Sequence, residues 1–94
     1  MFTINGTACQ AILGRFGKCA ILYMSFTGTH SANSTLVTIT SKNLIPVSKV
    51  NRNFYIQITD SKWETAIFTI NTDGTITCNK TIYRGNIVII YQIE

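Results

Sequence analysis

Few residues in this chain of 94 could do chemistry, and their spacing excludes most of it. The carboxylates are Asp60, Glu64, Asp73 and Glu94. Asp60 and Asp73 fall in segments that read as turns, where such side chains bond local backbone. Nothing in their placement points to the paired carboxylates of a glycosidase. Cys9, Cys19 and Cys78 show no CxxC spacing, and His30 is the lone histidine, so a zinc site lacks ligands. A Cys–His nucleophile built on His30 has no local signature, and no P-loop, GxGxxG or HExxH run is present. The chain therefore reads as a non-enzyme with no catalytic residue, no metal and no cofactor. The cysteines read as buried thiols behaving as small hydrophobes; one disulfide with a free third thiol is the alternative.

Binding chemistry is better represented. Eight Lys and Arg against four Asp and Glu leave a net charge of +4. The cations are scattered, with a loose group at Lys42, Lys49, Arg52 and Lys62. Nucleic-acid binding needs a denser basic stripe with interleaved aromatics, so no nucleic-acid partner is expected. Trp63 and Tyr55 are the aromatic candidates. Sugars dock on exposed aromatic faces beside hydrogen-bonding groups, whereas the ordinary fate of a Trp at a strand start is to cap the core. His30 sits in the small polar stretch 27–33, either as a plain loop residue or as a ligand contact.

The elements that must position these residues are strands. Ile, Thr and Val make up 33 residues, while Ala and Leu supply nine. Such β-branched side chains favour pleated surfaces over helices. Breaks recur at 14–17, 27–33, 41–46, 60–62, 71–74 and 84–86, and Asp73-Gly74 is the strongest hairpin signal. Strands are expected at 2–5, 7–13, 18–27, 34–40, 52–59, 63–71, 75–79 and 86–93. Alternation is plain at Phe54, Ile56 and Ile58, and again at Ala66, Phe68 and Ile70. No linker or repeat divides the chain, so residues 1–94 form one domain. The spacing predicts an all-β, antiparallel, jelly-roll-like β-sandwich of about eight strands.

The first hairpin can be given a register. With Leu13 opposite Lys18 around a 14–17 turn, Cys9 faces Leu22, Ala11 faces Ala20, Thr7 faces Met24 and Cys19 faces Ile12. Cys9 and Cys19 then point to opposite faces and cannot bond. Two segments, 19–24 and 87–91, are apolar on both faces. So small a domain has trouble burying both sides, which points to a homo-oligomer over a buried middle strand. No apolar run approaches the roughly 18–20 residues of a membrane span, so no membrane insertion is expected. Met1 leads straight into Phe2-Thr3-Ile4 without the marks of a secretion signal.

Asn5-Gly6-Thr7 leads into a strand, and Gly14-Arg15-Phe16-Gly17-Lys18-Cys19 opens the next. Leu44-Ile45-Pro46 follows a small-residue loop. Then come Phe54-Tyr55-Ile56, Ile70-Asn71-Thr72-Asp73-Gly74-Thr75-Ile76 and the closing Asn86-Ile87-Val88-Ile89-Ile90-Tyr91. Taken in order, these features resemble the C-terminal head domains of tail-fibre and baseplate proteins from phages or prophages of Gram-positive hosts. The family's turn carries a second proline and a glycine that 44–48 lacks. The resemblance implies a non-catalytic homotrimeric head on a virion tail, assembled in the host cytoplasm and binding host cell-surface polysaccharide. It transfers no binding residue; Trp63, Tyr55, Arg52 and His30 are nominated on their chemistry alone. Two other readings remain open: a ligand-free trimerisation module of a virion tail, and a secreted lectin-like domain.

Overall fold

Alternating branched and polar residues, punctuated every few residues by Gly, Asn or Asp, give short strands and tight turns. The computed structural model describes residues 2–4 and 9–93. Asn5-Gly6-Thr7, the expected Thr7 pairing, Glu94 and the side chain of Cys9 lie outside what it describes. The strands are β1 (Phe2–Ile4), β2 (Cys9–Phe16), β3 (Cys19–Phe26), β4 (Thr35–Ile39), β5 (Val50–Thr59), β6 (Lys62–Ile70), β7 (Thr75–Cys78) and β8 (Gly85–Gln92). A 3-10 turn at Lys42–Leu44 precedes β5.

The strands form the expected all-β antiparallel sandwich. One sheet has the order β1-β4-β7-β6-β5 and the other β2-β3-β8, a five-and-three division. The sheets also approach along their edges. Gln57 of β5 forms a bridge with Arg84, and Arg52 Nη2 donates to the Ile90 carbonyl of β8 at 3.4 Å. The sandwich is thereby partly closed along one side, which shields the β5 edge from open pairing.

Between the sheets lies one core. Ala20, Leu22 and Met24 of β3 and Ile87, Ile89 and Tyr91 of β8 come from the short sheet. Ala66, Phe68 and Ile70 of β6, Ile76 of β7 and Ile39 of β4 meet them from the long one. Phe68 is the hub, 5.7 Å from Phe54 edge-on and 6.1 Å from Phe26 between ring centroids. Tyr91 is buried and donates its hydroxyl to the Leu44 carbonyl at 2.7 Å, pinning the 3-10 turn to β8. Burial pushes this phenol up to about 12.

The first hairpin differs from its expected register. Phe16 pairs with Cys19, Leu13 with Leu22 and Ala11 with Met24, so the turn is Gly17-Lys18 rather than 14–17. Gly17 has φ +60°, the conformation a two-residue hairpin needs at its first central position. Cys9 pairs with Phe26 while Cys19 lies at the other end of the hairpin. Cys78 is buried and Cys19 half-buried, both as free thiols, and burial pushes the Cys78 thiol up.

At the Asp73-Gly74 hairpin, the Gly74 N–H donates to the Asn71 carbonyl and the Asn71 N–H to the Thr75 carbonyl, each at 2.9 Å. Asp73 Oδ1 accepts from the Thr75 hydroxyl at 2.7 Å and from the Thr75 N–H at 3.0 Å. These bonds, the hydroxyl's first, hold its carboxyl below the usual range.

The outward faces of the two sheets differ in kind. Cross-strand neighbours Asn51, Thr69, Thr77 and Thr35 form one polar row on the long sheet, and Thr75 pairs with Thr38 beside it. The short sheet instead turns Ile12, Phe16, Ile21, Val88 and Ile90 to solvent. Segments 19–24 and 87–91 are therefore covered by their own chain on one face only.

Candidate functional site

The long sheet's wet face carries one aromatic platform. In the β5–β6 hairpin Tyr55 pairs with Thr65 and Gln57 with Trp63, so Tyr55 and Trp63 are diagonal neighbours on the outward side. Their rings stack at 5.8 Å between centroids with an interplanar angle of 21°. Tyr55 is 69% exposed and Trp63 50%, so Trp63 does not cap the core. Alternation is the reason: Trp63 has the parity of Thr65 and Ile67, opposite to the buried Ala66 and Phe68. The register slips between Gln57 and Thr59, a bulge that accommodates Ile58 just before the Asp60-Ser61 turn. Bulges add twist and re-aim neighbouring side chains, and this one lies beside Trp63. Gln57 Nε2 donates across it to the Asp60 carbonyl at 3.1 Å.

Polar groups surround the rings. Thr65 and Asn53 are exposed on the same face. Trp63, Gln57 and Arg84 fall in one cross-strand row, because Arg84 bridges Gln57 from the far side of β5. The Arg84 guanidinium lies 5.3 Å from the centroid of the Tyr83 ring. On the face of β6 opposite to Trp63, Glu64 accepts from Lys80 at 3.0 Å and from Lys62 at 3.2 Å. The Lys80 bond, and then the Lys62 bond, hold the Glu64 carboxyl below the usual range. Glu64 is therefore a structural anion rather than a proton donor near neutrality. Among the described residues no cluster of three or more His, Cys, Asp or Glu could hold a metal.

The four nominated residues do not form one site. Tyr55 and Trp63 come together. Arg52 has the parity of Phe54 and Ile56, so it leaves β5 on the other side, where it donates to the Asn51 carbonyl at 3.0 Å and to the Ile90 carbonyl. It ties the sheets at their edge instead of flanking the platform. His30 is buried rather than displayed on a loop. Its backbone bridges Ile82, its ring meets Phe26 edge-on at 5.4 Å, and its Nε2 has no hydrogen-bond partner among the described residues. Burial holds its imidazole below the ordinary value. The cation that reaches the platform's row is Arg84, which sequence reading passed over as part of a turn. The signal for it is a long-range bridge that local spacing does not contain.

Elsewhere an open cleft of ≈ 560 Å³ is lined by Lys42, Asn43, Ile45, Pro46, Val47 and Thr72. Thr72 follows the end of β6 and Trp63 stands at its start, so cleft and platform lie at opposite ends of that strand. The cleft has no aromatic wall, and the exposed stacked pair is the stronger ligand feature. No family model matches the chain, and no curated protein matches it either.

Proposed function

We propose that this protein is a non-catalytic adhesion module of a phage or prophage tail fibre or baseplate, binding cell-wall carbohydrate as a homotrimer. One observation carries the reading: the stacked, solvent-facing Tyr55–Trp63 pair on a sheet face furnished mostly with Thr, Asn and Gln, with Ile67 the exposed apolar neighbour. Flat rings offer an apolar surface to the C–H faces of a sugar, while neighbouring amides and hydroxyls take its hydroxyl groups. Arg84 adds a positive charge beside the row, which suits an anionic wall polymer. Each such site is shallow and weak, and three copies on one fibre tip multiply the effect through effective concentration. The order of sequence features that resembles phage head domains supports the virion setting.

A ligand-free trimerisation module of the tail is the second reading, favoured by the apolar outer face of the short sheet. Trp63 is the only tryptophan, so its fluorescence reports the platform directly. Titration with purified Gram-positive wall polysaccharide is expected to quench or shift this emission in a saturable way. Trp63→Ala and Tyr55→Ala should each weaken retention on the polysaccharide at least tenfold, the equivalent of about 1.4 kcal/mol. An assembled, folded protein that retains no wall polysaccharide favours the structural reading. Saturable binding that leaves Trp63 emission unchanged removes the platform from the site.

A further inference from the structure

Alternation along β2, β3 and β8 sets the outward face of the short sheet. Ile12, Tyr23 and Val88 form one cross-strand row, and Gly14, Ile21 and Ile90 form the next. Uncharged polar residues close the ends, with Gln10, Ser25 and Asn86 at one and Gln92 at the other, beside Phe16 and Cys19. None of these positions carries a charge, although the chain as a whole is +4. An apolar centre with a polar rim is the anatomy of an interface. Phe16 is 78% exposed, Ile12 66%, Ile90 55%, Val88 48% and Ile21 38%. At roughly 200 Å² for a fully open large apolar residue, these exposures amount to roughly 600 Å² in one patch, the top of the range for monomers. On the outer strand β2 the surface is open, since a side chain at Gly14 would meet nothing within 4 Å among the described residues.

We infer that this face is where copies of the chain assemble, each copy's β2-β3-β8 face covered by another copy's. A second copy fits for three reasons. The face is uncharged, so two positively charged molecules meet there without facing cations. It is one face of a sheet, and sheets stack face to face at about 10 Å. Covering it on two copies removes about 1,200 Å², the lower bound of a stable interface before the rim is counted. A pair across a two-fold axis and three copies turned inward on a three-fold axis both bury it. The inference is independent of sugar binding, because the Tyr55–Trp63 platform is on the other sheet.

The test is solution mass from low micromolar to submillimolar protein. The wild type is expected at two or three times the 10.5 kDa of one chain. Ile12→Lys and Val88→Lys should each weaken association at least about 30-fold, the loss of a central anchor, with an unchanged far-ultraviolet circular dichroism spectrum. Ile67→Lys, an exposed apolar position on the long sheet, should leave the mass unchanged. Alkylation of Cys19 in the wild type, located by peptide mass, should slow as concentration rises, which tests the face even where a lysine variant does not fold. A wild type that stays at 10.5 kDa throughout overturns the inference. So does an oligomer untouched by both lysines, or a Cys19 rate independent of concentration. A monomer that instead sediments with phosphatidylcholine–phosphatidylglycerol vesicles assigns the face to lipid and equally overturns it. A dimer sensitive to both lysines upholds this face and ends the homotrimer of the proposed function.

Discussion

Replacing Gly74 with alanine tests how closely β4 packs on the turn between β6 and β7. Gly74 is buried in the β6–β7 turn with φ +91°. Its carbonyl accepts the Ile39 N–H at 2.8 Å, which ties the turn to β4. A methyl group here meets two separate penalties. The left-handed backbone costs an L-residue about 1 kcal/mol or more. The added Cβ also lands on the Ile39 carbonyl oxygen, and neither partner is a flexible side-chain tip that could swing aside. β4 must move off, which strains or breaks the Ile39–Gly74 hydrogen bond and adds about 1–3 kcal/mol. Together the cost is about 2–4 kcal/mol, a large share of the roughly 5–15 kcal/mol that holds a domain folded. For a domain of this size the melting temperature should fall by at least about 8 °C. Gly17→Ala separates the two penalties, because φ there is +60° but a Cβ meets nothing within 4 Å among the described residues. Its loss should be confined to about 1 kcal/mol. Calorimetry at one fixed protein concentration checks both, since assembly makes the melting temperature concentration-dependent. If the two variants melt together, the close approach of β4 to the turn is not what makes Gly74 necessary.

Burial lowers the His30 pKa, so below about 6.5, the ordinary value, the unfolded chain takes up a proton that the folded chain resists. The stability His30 contributes is thus complete above that value and lost as pH falls below it. Thermal melts from about pH 7.5 to 5.5 should slope downward, and His30→Phe should flatten the slope while keeping the ring contact with Phe26. Tyr91→Phe removes the hydroxyl bonded to the Leu44 carbonyl and should cost about 1 kcal/mol by urea denaturation. Because the folded phenol is raised to about 12, its contribution is present below the ordinary value near 10 and is lost as pH rises through about 12. The wild-type melting temperature should therefore drop between about pH 10 and 12 more steeply than that of Tyr91→Phe.

Local chemistry alone determined where the strands are. Each of the eight observed strands overlaps one read from β-branched runs and turn residues, with ends shifted by a few residues. The parity that buries Ala66, Phe68 and Ile70 was equally legible, as was the two-sided apolar character of 19–24 and 87–91. These features depend on neighbours two residues apart, which the chain order contains. Arg52 was legible too, since it shares parity with Phe54 and Ile56. Its charge suits a ligand contact, but its parity turns it away from Tyr55.

Tertiary structure decided the rest, because strand partners lie far apart in sequence. The two-residue turn at Gly17-Lys18 moved the first hairpin four places in summed register while leaving its faces unchanged. Trp63 could have served either the core or the surface until the register with β5 placed it diagonal to Tyr55. His30 read as polar loop until its bridge to Ile82 drew it under Phe26. Period-two alternation says that a strand has two faces. Only the packing of one sheet on the other says which face is covered, and it left the apolar outer side of β2, β3 and β8 open.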